Sequence, residues 1–136
     1  MFSNFLQKIK SLQLPTGEFA IFGSGPMAAH GIRESSDADI IVSEKLFEEY
    51  KQKTGWVYKS FERDDRHIEM IEKDKIEFYK NWGPGKWDIA KLIQNSEIIN
   101  DLPFVELDKV LRWKKISGRE KDKKDIFLIK EYLKNN

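Results

Sequence analysis

Two carboxylates one residue apart are the side chains of this chain whose types and spacing point most directly to chemistry. Asp37 and Asp39 stand at the head of the apolar run Ile40-Ile41-Val42. Because side chains alternate along a strand, this spacing predicts that both carboxylates project from the same face of a sheet. Two adjacent like charges are unfavourable without a counter-charge. A divalent cation would supply it, so the pair predicts a metal site, with Mg²⁺ as the expected ion and Mn²⁺ as an alternative.

A glycine–serine pair lies a short distance before the two aspartates. Gly23-Ser24 follows the apolar segment Phe19–Phe22, and Pro26 suits the first position of a helix after the turn. Glycine permits a tight turn, and backbone N–H groups with the Ser24 hydroxyl can cradle phosphate oxygens there. Alternatively, the pair is only a turn and the aspartates are solvent-facing or capping residues. Aspartate is disfavoured in strands, which favours metal and nucleotide binding over these alternatives.

Hydrophobic spacing and turn residues predict an α+β architecture in which a small mixed sheet packs with helices and the C-terminal segment is helical. The expected helices are Phe2–Leu12, Pro26 toward Gly31, Glu44–Lys53 with Ser43 as N-cap, Ile89–Ile93, Leu107–Ile116 and Glu120–Leu133, with a break at Ser117-Gly118 between the last two. The expected strands are Phe19–Phe22, Asp37–Val42, Trp56–Phe61, Ile68–Glu72 and Lys75–Tyr79, the last two joined by a turn at Lys73-Asp74. Residues 63–66 are expected to form a charged loop, and residues 81–86 an irregular one.

Composition limits the class of protein. The 136 residues, 40% of them hydrophobic, predict a single domain over residues 1–136. A net charge of +1 argues against a protein whose overall charge attracts nucleic acid or membranes. The chain has no cysteine, which excludes disulfides and thiolate metal sites. It also has no apolar stretch typical of a signal peptide or membrane span, so we expect a cytoplasmic protein without a membrane partner.

The two motifs together resemble the signature of the nucleotidyltransferase superfamily, whose fold is shared with DNA polymerase β. The matching segments are Phe19-Ala-Ile-Phe-Gly23-Ser24 and Ser36-Asp37-Ala-Asp39-Ile-Ile-Val42. Small stand-alone prokaryotic members are also similar at Gly31, Arg33, Ile76-Glu77-Phe78, Trp82 and the segment from Gly118-Arg119 to Asp125-Ile126. The resemblance therefore covers most of the chain. It implies a minimal nucleotidyltransferase fold with a third carboxylate on a later strand.

The resemblance implies that Glu77 is this third carboxylate, acting as a metal ligand or as the base. Glu69 occupies the same apolar-Glu-apolar context and is the alternative. Lys114, Arg119 and Lys121 are implied to reach the β- and γ-phosphates, with Asp122 or Asp125 orienting them. Ser36 joins Gly23 and Ser24 among the expected nucleotide-binding residues.

Several further charged and aromatic residues have open interpretations. Lys115, Lys123 and Lys124 are expected to be ordinary surface residues. Arg33 either clamps a phosphate, braces Asp37 or has a structural role. The two histidines, His30 and His67, are too few for a histidine-based zinc site. The tryptophans are expected in packing, with stacking of Trp82 and Trp87 on a base or acceptor ring as a minor alternative.

The activity that follows is transfer of a nucleoside monophosphate from ATP or another nucleoside triphosphate to a hydroxyl, with release of pyrophosphate. The acceptor could be a small molecule, a tRNA or a protein, and the chain could act with a partner protein or as a homodimer. One alternative is a catalytically silent nucleotide-binding or adaptor domain that regulates a partner, as in a toxin–antitoxin pair. Another is a structural or nucleic-acid-binding module in which the aspartates are incidental.

Overall fold

The architecture is taken from a computed structural model that describes residues 2–35, 38–64 and 66–136. Ser36, Asp37 and Asp65 therefore lie outside the described residues. Those described form six helices and one seven-stranded mixed sheet. The helices are α1 Phe2–Ser11, α2 Gly25–Ala29, α3 Glu44–Lys51, α4 Ile89–Gln94, α5 Leu107–Ser117 and α6 Glu120–Asn135. The strands are β1 Phe19–Phe22, β2 Ala38–Val42, β3 Val57–Arg63, β4 Arg66–Lys73, β5 Ile76–Tyr79, β6 Glu97–Ile99 and β7 Leu102–Phe104.

The order of the strands brings three separate segments of the chain together at the centre of the sheet. The order is β3-β4-β5-β2-β1-β7-β6. β2 pairs with β1 in antiparallel and with β5 in parallel orientation, and β1 also pairs with β7 in parallel. The three remaining pairs are antiparallel. The turn after β1 and the strands β2 and β5 are consequently neighbours.

Each face of the sheet carries its own hydrophobic core. On one face, Phe5 and Ile9 of α1 and Phe47 of α3 pack with Ile40 and Phe78. On the opposite face, helices α4, α5 and α6 cover the other strand positions. This second core includes Phe22, Ile41, Leu92, Val110 and Ile129. Because alternate strand residues face opposite sides, the central strands are apolar at nearly every position and are buried on both faces.

Most of the predicted elements are present, and two of their boundary signals are confirmed in detail. The Ser43 hydroxyl accepts a hydrogen bond from Leu46 N at 3.1 Å, as expected of an N-cap. Gly118 ends α5 in the left-handed conformation, with φ of 60°. The β4–β5 turn lies one residue later than predicted, at Asp74 and Lys75, which both have positive φ. No helix among the described residues is long and apolar enough to cross a membrane.

Two predictions about secondary structure are wrong. The chain after residue 88 is not wholly helical, because β6 and β7 form a hairpin whose turn residues, Asn100 and Asp101, have φ of 53° and 67°. Strands of three residues carry almost no alternation, and Pro103 inside β7 argues against a strand. The predicted loop at residues 63–66 is also shorter, because Arg63 and Arg66 are paired strand residues.

Candidate nucleotide site

The register of β2 and β5 places two of the predicted carboxylates side by side. Asp39 and Glu77 are Cα partners in this parallel pair, and Ile41 and Tyr79 are partners two residues further on. Paired residues of neighbouring strands project from the same face, so both carboxylates lie on the face covered by α4–α6. Asp37, the other member of the predicted pair, lies outside the described residues.

The turn that follows β1 fits closely against Asp39. Gly23 has φ of 64°, a backbone conformation that residues with a Cβ rarely adopt. A Cβ at position 23 would also lie 2.5 Å from Oδ2 of Asp39, which is far inside van der Waals contact. Ser24 follows, and its Oγ shares a 2.6 Å hydrogen bond with Oγ of Ser35. Glycine at position 23 is therefore required by both the backbone and the neighbouring carboxylate.

These residues line a cavity of about 550 Å³. Asp39 and Glu77 lie on its wall, and six basic side chains line it as well. The basic residues are Arg33, Arg63, Lys114, Arg119, Lys121 and Lys124. Of the ten predicted site residues, seven line this cavity, Gly23 borders it through Asp39, and Ser36 and Asp37 are outside the described residues. The cavity thus combines a carboxylate pair with an excess of cations.

A buried ionic cluster holds part of the basic wall in place. Nζ of Lys114 lies 3.0 Å from Oδ2 of Asp125 and 3.5 Å from Oδ1 of Asp122. Arg33 donates to both oxygens of Asp125, through Nε at 2.8 Å and Nη2 at 3.0 Å. Arg119 Nε donates to Asp122 at 3.1 Å. Both aspartates are therefore positioned to orient the cations, and Arg33 is braced by Asp125.

The two aspartates stay ionised in this cluster. Burial by itself would raise the pKa of Asp125, but hydrogen bonds from Arg33 and Lys114 outweigh it and bring the pKa below its usual value. The pKa of Asp122 is likewise lowered, because hydrogen bonds from Ser117 and Arg119 outweigh the effect of burial. Two carboxylates thus compensate Lys114, Arg33 and Arg119. Lys121, Lys124 and Arg63, in contrast, have no carboxylate within 4.0 Å in the described part of the chain.

Tyr79 is a cavity residue that the sequence analysis did not identify. Its hydroxyl donates a 2.6 Å hydrogen bond to Oε1 of Glu77, and its ring packs edge-on against Trp82. Burial raises the pKa of Tyr79, and the negative charges of Asp39 and Glu77 raise it further. The hydroxyl therefore stays protonated and serves as a donor. The sequence did contain a signal for it: Tyr79 lies two residues after Glu77 on the same strand, so alternation places both side chains on the same face.

Glu69, the alternative third carboxylate, lies elsewhere. Glu72 of β4 pairs with Glu77, so Glu69, an odd number of residues away along the strand, faces the opposite side of the sheet. There it accepts a 2.7 Å hydrogen bond from Tyr58 and lies 3.1 Å from Nζ of Lys80. Glu77 is thus the glutamate of the two that shares a cavity with Asp39.

Three further residues line the cavity that the sequence did not place among the nucleotide-binding residues. Lys124 is exposed, as expected, and it also lines the cavity one helical turn after Lys121. Arg63 was placed in a loop, and its position at the cavity follows from the pairing of β3 with β4. Trp82 also lines the cavity, but it is buried and stacked on Phe22, with ring centroids 4.6 Å apart.

The described residues contain no group of three or more carboxylate, histidine or cysteine side chains arranged to hold a metal ion. Asp37 is not among those residues. No protein-family model, curated protein or solved structure matches this chain.

Proposed function

We propose that the protein is a nucleotidyltransferase with the minimal fold of that superfamily. It would move a nucleoside monophosphate from ATP or another nucleoside triphosphate to a hydroxyl and release pyrophosphate. The observation that carries the proposal is the adjacency of Asp39 and Glu77 at the Gly23 turn, in a cavity with six basic side chains. The acceptor would be a small molecule, a tRNA or a protein.

Two carboxylates of this cavity would serve as ligands of a magnesium ion. Carboxylate oxygens are the ligands that Mg²⁺ prefers, and Asp39 and Glu77 supply them from paired strand positions. The glycine at position 23 leaves the space beside Oδ2 of Asp39 that a Cβ would fill. Asp37 would complete the set if strand alternation continues through it. When bound, magnesium ions neutralise developing charge on the phosphoryl oxygens and activate the attacking hydroxyl.

The basic residues would bind and orient the triphosphate. Lys121 and Lys124 have no carboxylate partner within 4.0 Å among the described residues and would face the phosphates directly. Lys114 is held by Asp122 and Asp125, which fixes its position rather than leaving it mobile. An arrangement of fixed cations around the leaving pyrophosphate stabilises charge without reorganisation during the reaction.

In the reaction itself, the acceptor hydroxyl would displace pyrophosphate from the α-phosphorus. The hydroxyl oxygen forms a bond to phosphorus while the bond to the bridging oxygen of pyrophosphate breaks. The proton of the hydroxyl would pass to a carboxylate, for which Oε2 of Glu77 is our choice because Oε1 already accepts a hydrogen bond from Tyr79.

The direct test uses nucleoside triphosphates labelled at the α-phosphate. Each is incubated with the protein, Mg²⁺ and a cell lysate, which is then separated into protein, RNA and small-molecule fractions. We expect label in one fraction, and loss of that label with Asp39→Asn. Asp101→Asn is the control, because Asp101 is an exposed turn residue whose left-handed φ asparagine tolerates. Undiminished transfer by Asp39→Asn, or no transfer with any nucleotide, would contradict the proposal.

A second candidate is a nucleotide-binding domain without transfer activity. The observation that favours it is the hydrogen bond from Tyr79, which occupies one oxygen of Glu77 and so reduces what that carboxylate offers to a metal. Calorimetry of ATP binding with and without Mg²⁺ separates the candidates. Metal-dependent binding without label transfer supports the silent domain. Absence of metal-dependent binding supports a structural or nucleic-acid-binding module instead.

A further inference from the structure

A second cavity of about 170 Å³ lies where the segment 86–88 meets α4 and α5. It shares no lining residue with the first cavity. Its volume is below the range of about 300 Å³ and more that accommodates drug-sized ligands. A ligand of this cavity would therefore be smaller than a nucleotide, and its binding does not depend on the function proposed above.

One wall of this second cavity is apolar and fixed in orientation. It is formed by Trp87 with Leu92 and Val105, and the two aliphatic residues are buried. The indole N–H of Trp87 donates to the carbonyl oxygen of Pro84 at 2.9 Å. Its ring also packs edge-on against Phe22, with centroids 5.9 Å apart. The indole therefore presents a preformed aromatic surface to a ligand.

The acidic side chains at this cavity are already engaged. Asp88 caps α4, since its Oδ1 accepts a hydrogen bond from Lys91 N at 3.1 Å. Glu106 lies 3.9 Å from Nζ of Lys109, which is itself 3.0 Å from Asp108. The negative charge at this cavity thus serves helix capping and a local ion pair.

Three basic side chains at the cavity lack such partners. Lys86, Lys91 and Arg112 have no carboxylate within 4.0 Å in the described part of the chain. The guanidinium of Arg112 instead lies over the ring of Trp87, 4.7 Å from its centroid. This contact holds a positive charge next to the aromatic wall. The cavity consequently has an apolar side and three cations without a carboxylate partner among the described residues.

We propose that this second cavity binds a small molecule made of one planar ring and an anionic group, either phosphate or carboxylate. The ring packs against Trp87 and Leu92, where burial removes apolar surface from water. The anion contacts Lys86, Lys91 and Arg112, and the guanidinium can bind it through two hydrogen bonds. A ligand that carries only the ring makes no contact with the cations, and one that carries only the anion leaves the apolar wall uncovered. Each should therefore bind more weakly than a ligand with both groups.

The test is an NMR titration of the full chain that follows the four indole N–H signals, with phenyl phosphate and benzoate as probes. Trp87→Phe assigns the Trp87 signal by its loss. We expect at least one probe to shift this signal. Benzyl alcohol and inorganic phosphate, which each carry one half of the ligand, should bind about tenfold more weakly, corresponding to loss of about 1.4 kcal/mol.

Variants in and outside the cavity complete the test. Lys91→Gln combined with Arg112→Gln should weaken binding of the better probe by about tenfold or more, because charge-assisted contacts are lost. Lys130→Gln, on the exposed surface of α6, removes one charge outside the cavity and should change binding less than about twofold. The proposal is overturned if neither probe shifts Trp87, if benzyl alcohol binds equally well, or if the shifts fall on Trp82 and Trp113, which line the first cavity.

Discussion

Glu69 and Glu77 occupy the same local sequence context on opposite faces of one sheet, and their surroundings differ. Each accepts a hydrogen bond from a tyrosine hydroxyl, Glu69 from Tyr58 at 2.7 Å and Glu77 from Tyr79 at 2.6 Å. Glu69 also has Lys80 at 3.1 Å, so its charge is compensated locally. Glu77 instead lines a cavity with Asp39. Two glutamates with equivalent neighbours in sequence thus have different surroundings. Glu69 takes part in a structural ion pair, and Glu77 lies in the candidate site.

The difference arises from strand register. Hydrogen bonds from Tyr58 and Lys80 lower the pKa of Glu69, which completes a surface network among neighbouring strands. No basic side chain lies within 4.0 Å of Glu77 in the described residues. Glu77 also has the like charge of Asp39 beside it on the same face of the sheet, which a nearby cation would offset. The comparison therefore indicates which of the two carboxylates has been left available for a ligand.

The largest expected effect is a loss of nucleotide transfer in Glu77→Gln that is absent from the matched variant Glu69→Gln. Glu77→Gln should reduce the rate by about 100-fold or more, because it removes the proposed metal ligand and base. Glu69→Gln should change the rate less than about twofold, because its contacts lie on the other face of the sheet. Single-turnover transfer of the α-phosphate label measures both. Equal losses in the two variants would contradict the assignment of Glu77.

The second prediction compares adjacent lysines of α5 and concerns stability. Lys114 is 5% exposed and lies between Asp122 and Asp125, whereas Lys115 is exposed. Lys114→Met should lower the free energy of unfolding by about 3 kcal/mol, because it leaves buried carboxylates short of a partner. Lys115→Met should change it by less than about 0.5 kcal/mol.

Urea denaturation followed by circular dichroism measures the two changes. Arg33 and Arg119 still contact the aspartates in the Lys114 variant, so a loss well below the expected value would show that they suffice. A loss as large for Lys115→Met would show that the effect comes from methionine on α5 rather than from the buried cluster.

The sequence predicted those parts of the fold and site that depend on local signals. Short continuous apolar runs identified β1 and β2, Ser43 identified the start of α3, and Gly118 identified the end of α5. The three-residue strands β6 and β7 were missed, because they are defined by pairing with each other and with β1 rather than by alternation.

The same limit applies to the candidate site. Asp39 was identified by its spacing from Asp37 and its position before an apolar run. The contributions of Arg63 and Lys124 depend on how a distant hairpin and α6 approach β2, which no local pattern records. The shared face of Asp37 and Asp39 stays a prediction, because Asp37 lies outside the described residues.

The smallest predicted effect uses the two tyrosines that donate to these glutamates. Tyr79→Phe should reduce transfer by about three- to tenfold, the value of one hydrogen bond, because Glu77 loses the donor that positions its carboxylate. Tyr58→Phe removes the equivalent bond to Glu69 and should leave transfer nearly unchanged. In Tyr79→Phe, the Mg²⁺ concentration needed for half-maximal transfer should rise if Tyr79 positions the Glu77 carboxylate, whereas a fall would show that the hydrogen bond withholds an oxygen from the metal.

A purely structural role for Tyr79 can be distinguished by combining Tyr79→Phe with Glu77→Gln in one protein. If Tyr79 acts through Glu77, the residual rate of Glu77→Gln should not fall further when Tyr79→Phe is added, because the contact between them has already been changed. If Tyr79 instead supports the cavity by packing against Trp82, its removal should cost the same factor in both backgrounds. Additive losses would therefore assign Tyr79 to packing and leave Glu77 positioned by its strand alone.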